Sequence, residues 1–439
     1  MKIDAIAEHV SPLTLAAARA EFDADMTYLD TAAFGLPPRR SWMALQQALA
    51  QWRAGTADAV AYDVPVAAAR SAYAHLVGAD PSAVAVGSQV SVFAGLIAAN
   101  LPDGSEVLTA TGDFTSILFP FYTQIGRGIR VRVVPLEHIA DAVTSRTALV
   151  AVSAVQSADG RVADLDALHA ASRATGARVL LDTTQAVGWL PVDASRFAYT
   201  ACGGYKWLLS PRGTAYFTIN PALTGDLTPH YAGWYAGDDP WSSIYGGPLR
   251  LASDARRFDL SPAWHAWVAA APAVRLLAQV GTQSLHQHAL GLANRFRAGI
   301  GLEPGDSAIV SLATDGAAAD AMAAARIKGS ARAGRLRLSF HVSTSDQDAD
   351  HAADVLRRHV TSSHPAALRQ PLLPRARSPG SVLVPGLLGL DRETAHSGGS
   401  RVHRNSELIT QRGALGGRWA SPLSWHGHIA EMRGGGTDG

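Results

Sequence analysis

Residues 178–185 read Arg178-Val-Leu-Leu-Asp-Thr-Thr-Gln185. An apolar run ends on a carboxylate and the chain turns polar at once, as a buried strand does where it leaves a sheet. The stretch before it completes the unit: Thr147–Ser153 is a second apolar strand, and 164–175 carries a helical period. Strand, helix and strand at this spacing require a crossover, so the two strands pair in parallel inside a sheet covered on both faces. Open α/β sheets bind ligands at the carboxyl ends of their strands. Asp182 is therefore either a residue facing that crevice or an ordinary strand-end cap, and Gln185 follows it on the turn.

Working outward, Val84–Val86 is a short strand that runs through Gly87-Ser88-Gln89 into a helix ending near Ala99. Further strands are expected at 106–110, 130–134 and 216–219, and residues 51–261 form the sheet domain. Helices precede it at 41–53 and 65–77, the first with Trp42, Leu45, Leu49 and Trp52 on one stripe. Helices at 262–280 and 282–298 lead into a small α+β domain, 262–360. It contains strands 308–312 and 336–340 and helices 316–326 and 346–358. The N-terminal segment 1–50 is expected to pack with it. Residues 361–439 hold 13 glycines, six prolines and nine arginines with no sustained period, which predicts a disordered tail without functional residues.

Composition narrows the function. At 439 residues, 47% hydrophobic, the chain can build two or three domains. A net charge of +1 gives no pull toward nucleic acid, and no basic aromatic groove suggests one. No apolar run approaches the roughly 20 residues of a spanning helix, and the charged first ten residues do not read as a secretory leader. A cytoplasmic location is expected. The single cysteine, Cys202, excludes internal disulfides and multi-cysteine zinc sites, and the scattered histidines form no ligand pattern.

Lysine usage is more telling. Lys2, Lys206 and Lys328 are the only lysines among 38 basic side chains, the other 35 being arginine. Lys206 lies in Ala201-Cys-Gly-Gly-Tyr-Lys-Trp-Leu-Leu-Ser-Pro-Arg-Gly213. Glycines allow close backbone approach on one side, and Pro211 with Gly213 fixes a turn on the other. Burial beside Tyr205 and Trp207 lowers a lysine's pKa and favours the neutral amine, which can condense with a carbonyl; the alternative is a surface lysine in a loop. Ser88 and Gln89 open a helix whose first-turn N–H groups suit an anion, although many helices begin so and bind nothing. Arg337 alternates with Arg335 in a strand, as either a carboxylate ligand or a solvent-facing arginine on an edge strand.

Taken together, and in this order along the chain, these motifs resemble the class V aminotransferase superfamily of fold type I pyridoxal-phosphate enzymes. That group includes cysteine desulfurases, selenocysteine lyases, kynureninases and isopenicillin N epimerase. The resemblance covers about residues 25–360. It implies an α/β fold: a large domain with a mostly parallel seven-stranded sheet between helices, and a small α+β domain. It also implies pyridoxal 5′-phosphate as cofactor, held as an aldimine on Lys206, which would then move protons. Asp182 would pair with the pyridine nitrogen, Gln185 with the phenolic oxygen, and Phe114 would stack on the ring. Ser88 and the Gln89 N–H would hold the phosphate, with Tyr205 as an extra donor. Arg337 would take the carboxylate of an amino-acid substrate, and Thr31–Gly35, with Phe34, would border its pocket. A homodimer is implied, with 233–247 reaching the neighbouring site.

Departures from the family pattern bear on the reaction. Phe114 and Tyr205 stand where desulfurases usually carry histidine, Gly203 stands for the usual serine, and Val342-Ser343-Thr344 replaces a frequent Tyr-Asn-Thr. No cysteine follows Cys202, so a persulfide route lacks its loop thiol. A class V-type enzyme acting on an amino acid (or amine) is expected. A lyase or epimerase without a persulfide cysteine remains open, as does a catalytically inactive regulatory homologue. Trp234, Tyr235, Trp241 and Tyr245 either line an aromatic substrate pocket or belong to core or interface.

Overall fold

The computed structural model describes residues 11–361. The described residues belong to one of the two compact units into which the chain divides, Met1–Leu368. The tail predicted for 361–439 lies outside them except for Thr361, as do the first ten residues of the N-terminal segment.

From the amino end, the short helix α1 (Leu15–Arg19) starts at Thr14, whose hydroxyl accepts from the Ala17 amide. Strand β1 (Thr27–Tyr28) follows, then helices α2 (Arg39–Ala54) and α3 (Asp63–Leu76). The sheet region runs β2 (Val84–Gly87), α4 (Val90–Asn100), β3 (Glu106–Ala110), α5 (Thr115–Tyr122), β4 (Arg130–Val134) and β5 (Thr147–Ser153). It continues through α6 (Leu165–Thr175), β6 (Arg178–Asp182), β7 (Tyr199–Gly203) and β8 (Ala215–Ile219). Helix α6 has its ends written in the sequence: the Asp164 side chain caps the Ala167 amide, and Gly176 leaves the helix at φ 77°. Helices α7 (Trp264–Val280) and α8 (Thr282–Gly299) lead to β9 (Ile309–Leu312), α9 (Ala318–Ala324), β10 (Ile327–Lys328), β11 (Ser330–Arg332), β12 (Arg335–Ser339) and α10 (Asp346–Leu356).

Seven strands form the main sheet in the order β2-β8-β7-β6-β5-β3-β4. Only β8 runs against its neighbours, so the sheet is mostly parallel, as expected. Alternate residues along each strand enter different cores. Val179 and Leu181 pack with α3 and α7, while Leu180 packs with α4 and α5. Burial on both faces explains the unbroken apolar runs of β5 and β6. The outer edge of β2 is covered as well: Val86 N donates to Asp259 Oδ1 at 2.7 Å, and Leu260 N to Val86 O at 3.0 Å.

A second, three-stranded sheet, β11-β12-β9, packs Leu338 and Val310 against α8 and α10 in its own core. The N-terminal segment joins this lobe: β1 pairs in parallel with β10, and Leu29 lies in the same core. Strand β12 is central in its sheet, and Arg337 is 1% exposed, so Arg337 is not a solvent-facing edge-strand arginine. The stripe on α2 is not a buried face: Trp42 is 55% and Trp52 65% exposed.

Candidate active site

The parallel strands end along one edge of the sheet, and a cleft of about 520 Å³, partly open to solvent, lies there. Asp182 closes β6 and points into it; Lys206 follows β7 by three residues. The loop carrying Lys206 is folded tightly. Gly204 N donates to Thr214 O at 2.9 Å and Leu209 N to Lys206 O at 3.0 Å, and His341 Nε2 donates to Trp207 O at 2.9 Å. From the N-terminal segment, Gly35 N donates to Tyr205 O at 2.9 Å. A Cβ on Gly35 would fall 2.1 Å from Lys206 O, so only glycine allows this approach.

Lys206 is 5% exposed. Burial lowers its pKa to about 8, with Asp182 opposing the shift and Arg337 and Arg332 reinforcing it. Its Nζ lies 5.2 Å from the centre of the Phe114 ring and 5.6 Å from that of Tyr205. Burial raises Asp182 to about 6, although hydrogen bonds from Thr184 pull the other way and its Oδ1 accepts from Thr184 N at 2.9 Å. An amine that loses its proton easily and a carboxyl that is reluctant to ionise thus share one cleft.

Gln185 is pinned on both sides of its amide. Its Oε1 accepts from Trp207 Nε1 at 2.7 Å, while its Nε2 donates to Ala32 O at 2.9 Å and Ser157 Oγ at 3.0 Å. Phe114 is aimed by its neighbour Asp113, which no sequence motif marks. Asp113 accepts from Phe114 N at 2.7 Å and from Ser153 N at 2.8 Å, which ties the turn after β3 to the end of β5.

Gln89, Phe114, Asp182, Gln185, Tyr205 and Lys206 therefore line one cleft. Ser88 is exposed and does not line it. Phe34 does not either, being 45% exposed, although its neighbour Gly35 abuts the lysine loop. Arg337 stands just behind the lining, where its Nη1 donates to the carbonyl of Ser157, a lining residue, at 2.6 Å. Burial lowers the Arg337 guanidinium to about 10, its Nε has no hydrogen-bond partner, and Asp30 Oδ1 stands off at 3.8 Å. Of the aromatic residues at 234–245, none lines the cleft. Tyr235 and Trp241 both donate to Asp63, and Tyr245 is 91% exposed. Ser116, Ser153, Ser157, Thr184 and Arg212 line the cleft without having been singled out. Of these, Thr184 lies between Asp182 and Gln185, Arg212 lies in the Lys206 segment, and Ser153 ends β5.

The residues fit pyridoxal phosphate. Asp182 would gain a cationic partner in a protonated ring nitrogen, Phe114 offers an open ring face, and the buried Nε of Arg337 lacks an acceptor. Gly203 keeps the floor clear: a Cβ there would press to 3.3 Å on both Thr184 and the Tyr205 ring. Cys202 is fully buried, and burial pushes its thiol up to about 12. Among the described residues no group of three or more His, Cys, Asp or Glu could hold a metal, and no helix is long and apolar enough to cross a membrane.

A sequence model of the family described as Aminotransferase class-V matches residues 27–349. The chain is 28% identical over 232 residues to the uncharacterized aminotransferase YcbU of Bacillus subtilis (strain 168), across 50% of this chain and 60% of that one. It is 26% identical over 310 residues to isopenicillin N epimerase of Streptomyces clavuligerus, across 64% and 77%. The match to the first relative therefore spans less than two thirds of that protein's length. Among solved structures, the complex of the cystine C-S lyase C-DES with its reaction product cysteine persulfide superposes with a TM-score of 0.69 at 22% identity, covering 77% of this chain and 99% of that one. The fold is thus that of fold type I pyridoxal-phosphate enzymes.

Proposed function

The chain belongs to the class-V aminotransferase family of pyridoxal-phosphate enzymes, and from that premise we propose that it acts on an amino acid, with Lys206 as the cofactor's covalent anchor. The observation that carries this reading is Lys206 itself, sealed to 5% exposure and held at about 8 beneath the Phe114 ring.

When bound, the cofactor supplies an electron sink that stabilises negative charge at the substrate Cα. The chain's own residues do the rest. Lys206, its pKa lowered to about 8 by burial, gives up its proton far more readily than an ordinary lysine and suits the work of carrying a proton to and from that Cα. Phe114 stacks but cannot carry a proton, so this duty falls on the lysine. Asp182 holds a proton on the ring nitrogen, since a buried carboxylate regains its charge most cheaply against a cation. Gln185 would offer its Nε2 amide donor, which bonds Ala32 O and Ser157 Oγ, to the phenolic oxygen. The open first turn of α4 after Gln89 offers N–H groups to the phosphate, with Tyr205 as a supplementary donor; Ser88, exposed outside the cleft, is left out of this reading. Arg337 presents its unpartnered Nε to the substrate carboxylate.

Handing sulfur to an enzyme thiol is outside this reading, because Cys202 is sealed and no other cysteine occurs in the sequence. The chain works as a homodimer in this reading, with the exposed Tyr245 segment reaching toward a neighbouring cleft.

The test is the visible spectrum of the purified chain with pyridoxal phosphate, before and after borohydride. A yellow band that bleaches, with the reduced label mapped to Lys206, is expected. No band would overturn the reading. An amino-acid panel then separates the branches: a keto acid with a pyridoxamine form marks transamination, a keto acid with ammonia marks elimination, and an inverted α-centre marks epimerisation. Sedimentation at micromolar concentration should give the dimer mass.

A further inference from the structure

The charged residues lining the cleft are Asp182, Lys206 and Arg212. A phosphate monoester brings a charge of about −1.5 to −2 at neutral pH. Lys206 is committed to the covalent bond and Asp182 has the wrong sign. Arg212 is then the one lining side chain able to balance the phosphate.

Sheet register supports the assignment. Ala215, the first residue of β8, pairs with Gly87 at the end of β2 and with Gly203 at the end of β7. Gln89 is two residues past Gly87, Tyr205 two past Gly203, and Arg212 three before Ala215. All three meet at one corner of the cleft, together with the uncapped first turn of α4. Arg337, by contrast, is anchored to Ser157, beyond the end of β5. Strands β8 and β5 are three positions apart, roughly 14 Å at about 4.8 Å per strand. Asp182 and Lys206 lie between the two arginines, so the cleft has two separate anion ends.

Arg212 is also held in readiness. Its guanidinium carbon sits 4.4 Å from the centre of the Tyr205 ring. Among the described residues no carboxylate pairs with it. A planar fork stacked on an aromatic face and lacking an anion suits a phosphate better than a flexible ammonium would.

We propose that Arg212, stacked on Tyr205, is the side-chain counter-ion of the cofactor's phosphate. This rests on the pyridoxal-phosphate reading above. The test uses the full chain stripped of cofactor and titrated, by absorbance, with pyridoxal phosphate and separately with pyridoxal, which lacks the phosphate. Arg212→Ala should weaken pyridoxal phosphate about 10- to 100-fold and leave pyridoxal within about twofold. Arg212→Lys should restore part of the loss, and added salt should narrow the gap between wild type and Arg212→Ala. Unchanged binding of pyridoxal phosphate by Arg212→Ala overturns the proposal. So does an equal loss for both aldehydes, or an effect confined to the amino acid's KM. Should Arg212→Ala not fold, the Arg212→Lys comparison of the two aldehydes decides by the same criterion. If wild type binds neither aldehyde, the underlying reading falls, and this proposal with it.

Discussion

The indole N–H of Trp207 donates to the amide oxygen of Gln185 across 2.7 Å, and that bond decides which way the Gln185 amide faces. An indole nitrogen can only donate, so Oε1 must turn toward it and Nε2 toward the cleft. Trp189 reinforces the arrangement by donating to the Gln185 backbone carbonyl at 2.6 Å. Replacing Trp207 with Phe leaves a buried oxygen unpartnered, at a cost of about 1–3 kcal/mol. The amide is then free to flip. A fall in Tm is expected, together with a shift in the pH midpoint of the cofactor's visible band if Gln185 bonds the phenolic oxygen as proposed. A stability loss with an unmoved midpoint would make Trp207 a packing residue only.

Asp182→Asn should separate stability from activity. The Asp182 carboxyl is raised from 3.8 to about 6 by burial, so its ionisation costs folding free energy as pH rises through that window. Asparagine keeps an oxygen for the Thr184 amide and removes the charge. The cofactor-free variant should melt with wild type below about pH 4 and be more stable above about pH 6, by on the order of 3 kcal/mol. Turnover should fall severely if, as proposed, Asp182 is the carboxylate that pairs with the ring nitrogen. Calorimetry across pH checks the first part and steady-state kinetics the second.

Capture of pyridoxal phosphate should report the state of Lys206. Burial lowers this amine to about 8, and only the neutral form attacks an aldehyde. The rate of band formation in the cofactor-free chain should therefore rise with pH through about 8 and level off above it. Lys206→Ala should form no band and no borohydride-stable label. A midpoint near the ordinary lysine value would show that the cleft does not desolvate the amine.

The buried ion pair under β2 should matter out of proportion to its distance from the chemistry. Arg70 Nη2 and Asp259 Oδ2 are 2.6 Å apart, and Asp259 Oδ1 also accepts the Val86 amide. Removing one partner of such a pair strands the other charge and typically costs about 3–5 kcal/mol. Asp259→Ala should lower Tm sharply and loosen the strand that leads into Gln89. Cofactor affinity should fall with it, whereas a distant surface substitution leaves affinity alone.

How much of this was legible in the sequence depended on contrast. Strands β3, β5 and β6 stand out as short apolar runs and β4 as an alternation of arginine and valine, and the period of α6 joins two of them. Strand β7 was passed over because Thr200, Cys202 and Gly203 break the pattern, and α5 because Pro120 lies inside it. Within the site, Lys206 was conspicuous as one of three lysines, whereas Arg212 was hidden among 35 arginines. Ser88 was a fair expectation from helix-start chemistry, but which residue of a turn faces inward is set by tertiary packing, and here it is Gln89. Asp113 had no local signal at all, since its partner Ser153 is 40 residues away.

The single sealed thiol has a practical consequence. Cys202 lies in β7 four residues before Lys206, out of reach of solvent, with burial keeping it protonated. A maleimide dye can react there only when the strand beneath the lysine comes apart. The chain thus carries its own clock: the labelling time course of the native protein measures how often this part of the molecule opens.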